Sequence, residues 1–325
     1  MKKIIIVVLS FMGALAWTAE VDNFTERFDG NLRDSTTVFN KKTNEFFKKG
    51  LLKANRGILK CNEKKLYFNL KKYFNSTFFG EIVRWVNETD TLDKRFISVN
   101  KSIYRDFTPK ESIVLGFLSK LRPVHSPNLR MGEVYLGSDK FEHFFSSGFR
   151  YFHAHYRKGK SLRKTLMIGL KEEYGLLGRF PTGVISYADL AADFNGMRFW
   201  NHVLQKKDDV LGAEKNLGPY VKCIKEKWTL VKEMNWENYL DDSMDEAINC
   251  SQFKTKNMVR KIKKRLGELQ FPHQRIISCP IDRKKLKRVI FKYGKFSTFF
   301  INQGGLRVVD LKNNPLKKLK NSPEF

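Results

Sequence analysis

The stretch GSDKFEHFF (Gly137–Phe145) is a helix-like apolar run that carries Asp139 and His143 one turn apart, with Glu142 between them. About fifty residues on, SYADLAADFNGMRFW (Ser186–Trp200) repeats the spacing with Asp189 and Asp193 among small and aromatic residues. Side chains four apart on a helix share one face, about 6 Å apart along the axis. Each pair therefore offers two polar groups to a common point. Ser138 and Ser186 stand where helix caps are needed, and Ser161 can cap the intervening segment LRKTLMIGLKEEYGLLG. The pattern predicts three helices in quick succession, the first running to about Arg157.

Packed together, two such helices would gather Asp139, His143, Asp189 and Asp193, and Glu172 or Glu173 on the middle helix could join them. Carboxylates and an imidazole projecting from facing helices suit a divalent metal, zinc or similar. A carboxylate left unligated can then act as general base on a bound water. The candidate catalytic set is Asp139, His143, Asp189 and Asp193; the candidate ligands are Asp139, His143, Asp193 and Glu173. The same residues also have a structural reading. Asp139 follows a cap and offsets the positive helix end, Asp189 completes a cap at Ser186, and His143 can bond to Asp139. Asp193 fits that reading least. It lies mid-helix beside Ala191, Ala192 and Gly196, where small neighbours allow close packing, and a buried carboxylate needs a partner or a proton.

The pattern Asp139-Lys140-x-x-His143 followed by Asp189-x-x-x-Asp193-x-x-Gly196 resembles the signature of VanZ-like and YfiM-like bacterial envelope proteins. The resemblance covers residues 139–200 and implies an envelope setting more than a reaction. The sequence departs from it in two respects: VanZ-like proteins are membrane proteins whereas this chain has no spanning segment, and Asp193 stands where the VanZ-like pattern has Asn.

Around this centre the chain divides into 1–16, 17–125, 126–212 and 213–325. Residues 1–16 read as a signal peptide, with Lys2 and Lys3 ahead of an apolar run and Ala14-Leu15-Ala16 as the small-x-small cleavage pattern. The run is short for a bilayer-spanning helix, which needs about 20 residues. The expected location is periplasmic or secreted. Residues 36–86 interleave Lys with Phe, Leu and Tyr at helical spacing and predict two or three amphipathic helices. Thr108, Pro109 and Glu111 read as a helix start with a capping box. Residues 213–270 read as interrupted helix, with DDSMDEAINC (Asp241–Cys250) as an acidic helix start. The run RVIFKYGKFSTFFINQGGLRVVDL suggests a small hairpin around Gly304-Gly305. The fold class is mainly α, a multi-helix globular domain with a small late β element.

With 42% hydrophobic residues and 28 Phe, the chain can build a large core, which excludes a disordered chain. It lacks a P-loop, a dinucleotide fingerprint, G-x-S-x-G and H-E-x-x-H. Of the four Cys, Cys250 and Cys279 are the favoured disulfide; CxxC is absent. The net charge of +27 is uneven: residues 251–325 hold 20 Lys/Arg against 4 Asp/Glu, whereas 131–200 hold 10 against 7. A basic C-terminal region on a near-neutral core points to an anionic partner, an envelope lipid or polymer rather than nucleic acid. Two functions follow: an exported metal-dependent hydrolase acting on an envelope component, or a non-catalytic envelope protein that binds anionic lipid or polymer through this region.

Overall fold

A computed structural model describes residues 20–30, 32–58, 60–75, 80–120, 125–175 and 178–310. The expected signal segment 1–16 and the Lys-rich tail after Asn313 lie outside the described residues. The fold is mainly α. None of the helices among the described residues is long and apolar enough to cross a membrane.

Three amphipathic helices open the chain, α1 (Thr36–Ala54), α2 (Glu63–Phe74) and α3 (Glu81–Glu88). Phe39, Phe46, Phe47, Leu51 and Ala54 recur at helical spacing and give α1 its buried face. Asn62 starts α2 by accepting from the Lys65 N–H. Thr108 does not start a helix as its sequence suggests: both its donors reach Glu111 Oε2 at 2.9 Å, but the Glu111 N–H goes to the Thr108 carbonyl and not to its hydroxyl. These bonds close a turn, and the short helix α4 (Ile113–Gly116) starts after it, capped by Ser112.

A hairpin of β1 (Asn128–Met131) and β2 (Val134–Gly137) then delivers the chain into α5, a continuous helical run over 139–157. Two π-helical turns interrupt α5, at His143–Ser147 and His153–Arg157. After α6 (Leu162–Glu173) and the short β3 (Val184–Ile185) comes α7 (Tyr187–Leu204), in which every residue but the last is buried. A helix buried on all sides sits at the centre, and α7 does, with its polar side chains paired inside the protein. Phe145, Phe199 and Phe74 pack together beside it, and the Trp200 indole N–H donates to the Phe145 carbonyl at 2.9 Å.

The segment after α7 differs from the interrupted helix its sequence suggests. Residues 221–230 form a hairpin, β4 (Val221–Ile224) and β5 (Lys227–Leu230). Its turn residues Lys225 and Glu226 have φ of 45° and 62°, so a two-residue turn of the type that matches strand twist is built without Asn or Gly. Residues 241–250, read as a helix start, form only a short 3-10 turn at Asp242–Met244. Helix resumes in α8 (Lys256–His273), α9 (Arg283–Tyr293) and α10 (Ser297–Phe300).

The late strand element is also built differently. Residues 288–293 lie in α9: Asp282 accepts from the Lys284 and Lys285 N–H groups, and Leu286, Val289 and Tyr293 bury one face. Helical capping and spacing there override the β-branched composition. The strand that does form, β7 (Arg307–Val308), pairs in parallel with β6 (Gln252–Phe253), which in turn pairs antiparallel with β3. Two disulfides cross-link the chain, Cys61–Cys223 and Cys250–Cys279, each with Cα atoms 5.8 Å apart.

Candidate functional site

Glycine sets the distance between the two motif helices. A Cβ on Gly196 would lie 1.8 Å from the Phe144 carbonyl oxygen, and one on Gly148 would lie 2.6 Å from the Gly196 Cα. No other residue fits at either position without moving a backbone. The close crossing brings the π turn that begins at His143 against the first half of α7. The π turn matters because its extra residue re-aims the side chains that follow.

Lys140 and His143 organise what meets there. The Lys140 ammonium, 1% exposed, lies 2.7 Å from Asp139 Oδ2, 2.6 Å from Asp189 Oδ1 and 2.8 Å from Glu246 Oε1. His143 holds Asp193 Oδ1 at 2.9 Å through Nδ1, and its Nε2 faces Asp189 Oδ2 at 3.3 Å. Ser186 caps α7 through its hydroxyl, donates that hydroxyl to Glu246 Oε1 at 2.8 Å, and gives its N–H to Glu173 Oε2 at 3.1 Å. Glu20, from the first described residue, is buried close enough to Glu246, Asp189 and Glu173 to feel their charge.

Asp139, His143, Asp189, Asp193 and Glu173 therefore all converge. Glu172 does not; it turns outward and pairs with Arg150. Three members were not foreseen. Lys140 lies in the Asp139–His143 run, Glu246 belongs to the acidic run 241–250, and Glu20 is far away in sequence. The one available signal was the 241–250 run, whose acidic residues are not spent on a helix end.

Six largely buried carboxyl groups (Asp139, Asp189, Asp193, Glu173, Glu246 and Glu20) surround two cationic side chains. Burial disfavours charge on all of them, and the outcome depends on partners. Burial, together with the neighbouring carboxylates, holds Glu20 and Glu173 well above the usual range. Burial pushes Glu246 up to about 7 against the opposing pull of Lys140. Asp139 and Asp193 are raised by burial as well. Asp189 alone is lowered: burial opposes its charge, but His143 and Lys140 outweigh it. Burial also works against the imidazolium of His143, yet Asp189 and Asp193 hold it protonated well above its ordinary range. The cluster is short of positive charge, and protons make up the difference.

Two groups of ligand atoms are close enough to share one ion, with all atoms within 4.8 Å of one another: Asp139, Asp189 and Glu246, and His143, Glu173 and Asp189. The first surrounds the Lys140 ammonium, so a cation is already built into it. In the second the cation is the His143 imidazolium, which can give up its proton to a metal. Of the ligand quartet read from the sequence, Asp139 falls in the first group, His143 and Glu173 fall in the second, and Asp193 contacts the far side of the His143 ring; Asp189 is common to both groups. The His143 side chain is 21% exposed, which leaves this end of the cluster reachable from solvent.

A second buried network, on the later turns of α7, is of another kind. Asp209 accepts from Arg198 Nε at 2.9 Å and meets His202 Nε2 at 2.9 Å, while His202 Nδ1 contacts the Tyr239 hydroxyl at 2.7 Å. Protein groups hold both faces of that imidazole, and it ties the 205–220 loop to the core. His153 is exposed, and His155 Nδ1 is held by the Lys160 carbonyl.

No protein-family model matches the chain, and no curated protein or solved structure matches it either.

Proposed function

We propose that this is an exported envelope protein in which His143, Glu173 and Asp189 bind a divalent cation, zinc or similar, for the hydrolysis of an envelope component. One observation carries the reading. Asp193 fixes His143 through Nδ1 and leaves Nε2 facing Asp189, with Glu173 in the same group of ligand atoms, the arrangement in which a carboxylate orients a metal-binding imidazole. Two disulfides are compatible with an oxidising compartment, and the Asp139–Gly196 motif adds the envelope setting.

Each side chain has a distinct task in this reading. His143 and the two carboxylates hold the ion, and Asp193 keeps the ring's orientation and tautomer. Lys140 pairs with Asp139, Asp189 and Glu246 at the rear of the site and opposes the effect of burial on them. A bound divalent ion of this class supplies a water of lowered pKa and polarises a substrate oxygen.

The test is equilibrium dialysis of the purified protein against zinc and manganese. The expected result is one equivalent bound, displacing the His143 proton as it does so, with uptake lost in His143→Ala and Glu173→Gln while the far-ultraviolet circular dichroism is retained. Failure of the wild-type protein to bind any divalent ion would leave the cluster as an internal ion network and refute the proposal.

A further inference from the structure

We infer that the outward face of α9 is a docking surface for an anionic phospholipid bilayer. This rests on the envelope setting proposed above and not on the metal centre. The sequence of α9, RKKLKRVIFKY, contains six Lys/Arg and lacks Asp and Glu altogether. The helix sorts its cations by direction. Lys285 and Lys292 are taken up in ion pairs, 2.9 Å from Asp242 Oδ1 and 2.5 Å from Asp241 Oδ2. Lys284 and Lys287 turn outward, exposed and without an ion-pair partner among the described residues. Arg288 points the same way at 70% exposure, only 3.7 Å from Asp242.

Phe291 stands on this same stripe, three and four residues beyond Arg288 and Lys287, and is 91% exposed. Leu286, Val289 and Tyr293 on the opposite face are buried, so the helix had apolar sites available and still turns this ring to solvent. The exposed face of α8 shows the same composition: Arg260 and Lys264 lead to Phe271, which is 86% exposed.

Cations alone would suit any polyanion. The aromatic ring separates the cases, because it gains nothing from a hydrated polymer but partitions into the boundary between head groups and acyl chains. Basic side chains are attracted to the surface potential of acidic lipids, and an adjoining Phe enters the interface. The combination of an exposed cationic stripe and an exposed Phe therefore selects a bilayer.

The experiment is flotation of the full chain with vesicles of phosphatidylglycerol and phosphatidylcholine, or of phosphatidylcholine alone, in the presence of a chelator. Lys284→Glu with Lys287→Glu is expected to weaken binding to the acidic vesicles at least about tenfold. Lys222→Glu with Lys227→Glu on the β4–β5 hairpin makes the same change in net charge and is expected to have a far smaller effect. Phe291→Ser should weaken vesicle binding and leave binding to soluble polyglutamate unchanged. The inference is overturned if both lysine pairs lose binding equally, or if acidic vesicles are not bound. It is also overturned if Phe291→Ser has no effect on vesicles, which would assign the stripe to a soluble polyanion. The chelator keeps these outcomes independent of metal uptake, so either proposal can fail alone.

Discussion

The Lys140 ammonium and the Glu246 carboxylate meet at 2.8 Å across 106 residues of sequence, deep in the protein. The contact fastens the loop before β6 to the first turn of α5, and it gives the acidic cluster its one permanent counter-charge. A buried charge pair of this kind is worth little against an apolar replacement of both partners, but removing one partner strands the other.

Lys140→Met should therefore destabilise the protein by about 3–5 kcal/mol, because Asp139, Asp189 and Glu246 lose their shared cation together. Urea unfolding of the variant at neutral pH measures this. A loss below about 1 kcal/mol would mean that the three carboxyls are neutral without the lysine.

Glu246 also fixes the sign of a pH effect. Its carboxyl titrates at about 7 in the folded protein against 4.5 in the unfolded chain, so between these values the folded state holds the extra proton. Its contribution to stability is complete below about pH 4.5 and is lost as pH rises to about 7. Glu142, also raised to about 7 by burial, acts in the same direction. Melting temperatures of wild type and Glu246→Gln measured from pH 4.5 to 7.5 should show a shallower decline in the variant. Parallel curves would remove Glu246 from the titrating set.

Asp193→Asn tests the orienting role assigned to that carboxylate. Asn keeps a hydrogen bond to Nδ1 but not the charge, so the ring stays in place and its basicity falls. Zinc affinity should drop about 10–100-fold, whereas His143→Ala should abolish binding. Isothermal titration of both variants separates a ligand from its support.

Gly196→Ala places a methyl group against the Phe144 carbonyl and must push α5 and α7 apart. The expected cost is about 1–3 kcal/mol by urea unfolding, with metal affinity lost in parallel. Wild-type stability in this variant would show that the crossing has slack.

Much of this was legible in the sequence because it is local. The Ser161 and Ser186 caps, the three amphipathic helices before residue 90 and the common face of Asp189 and Asp193 all depend on spacing along one element. Gly196 announced a close crossing. What was hidden depends on contacts across the chain or on backbone that its side chains do not advertise. Glu20 and Glu246 enter the cluster from regions with no motif of their own. The Lys225–Glu226 turn adopts left-handed backbone without the residues that usually mark it. The parallel pairing of β7 with β6 joins strands more than fifty residues apart, which no local pattern records.

The disulfides have a consequence for how the protein is made. In chain order the cysteines are 61, 223, 250 and 279, and the bonds join the first to the second and the third to the fourth. A polypeptide threading into an oxidising compartment from its N-terminus exposes one cysteine at a time. When Cys223 arrives, Cys61 is the sole partner waiting; when Cys279 arrives, only Cys250 remains unpaired. On the export proposed above, an oxidase that simply couples thiols in order of arrival would produce the native connectivity without an enzyme that reshuffles wrong pairs.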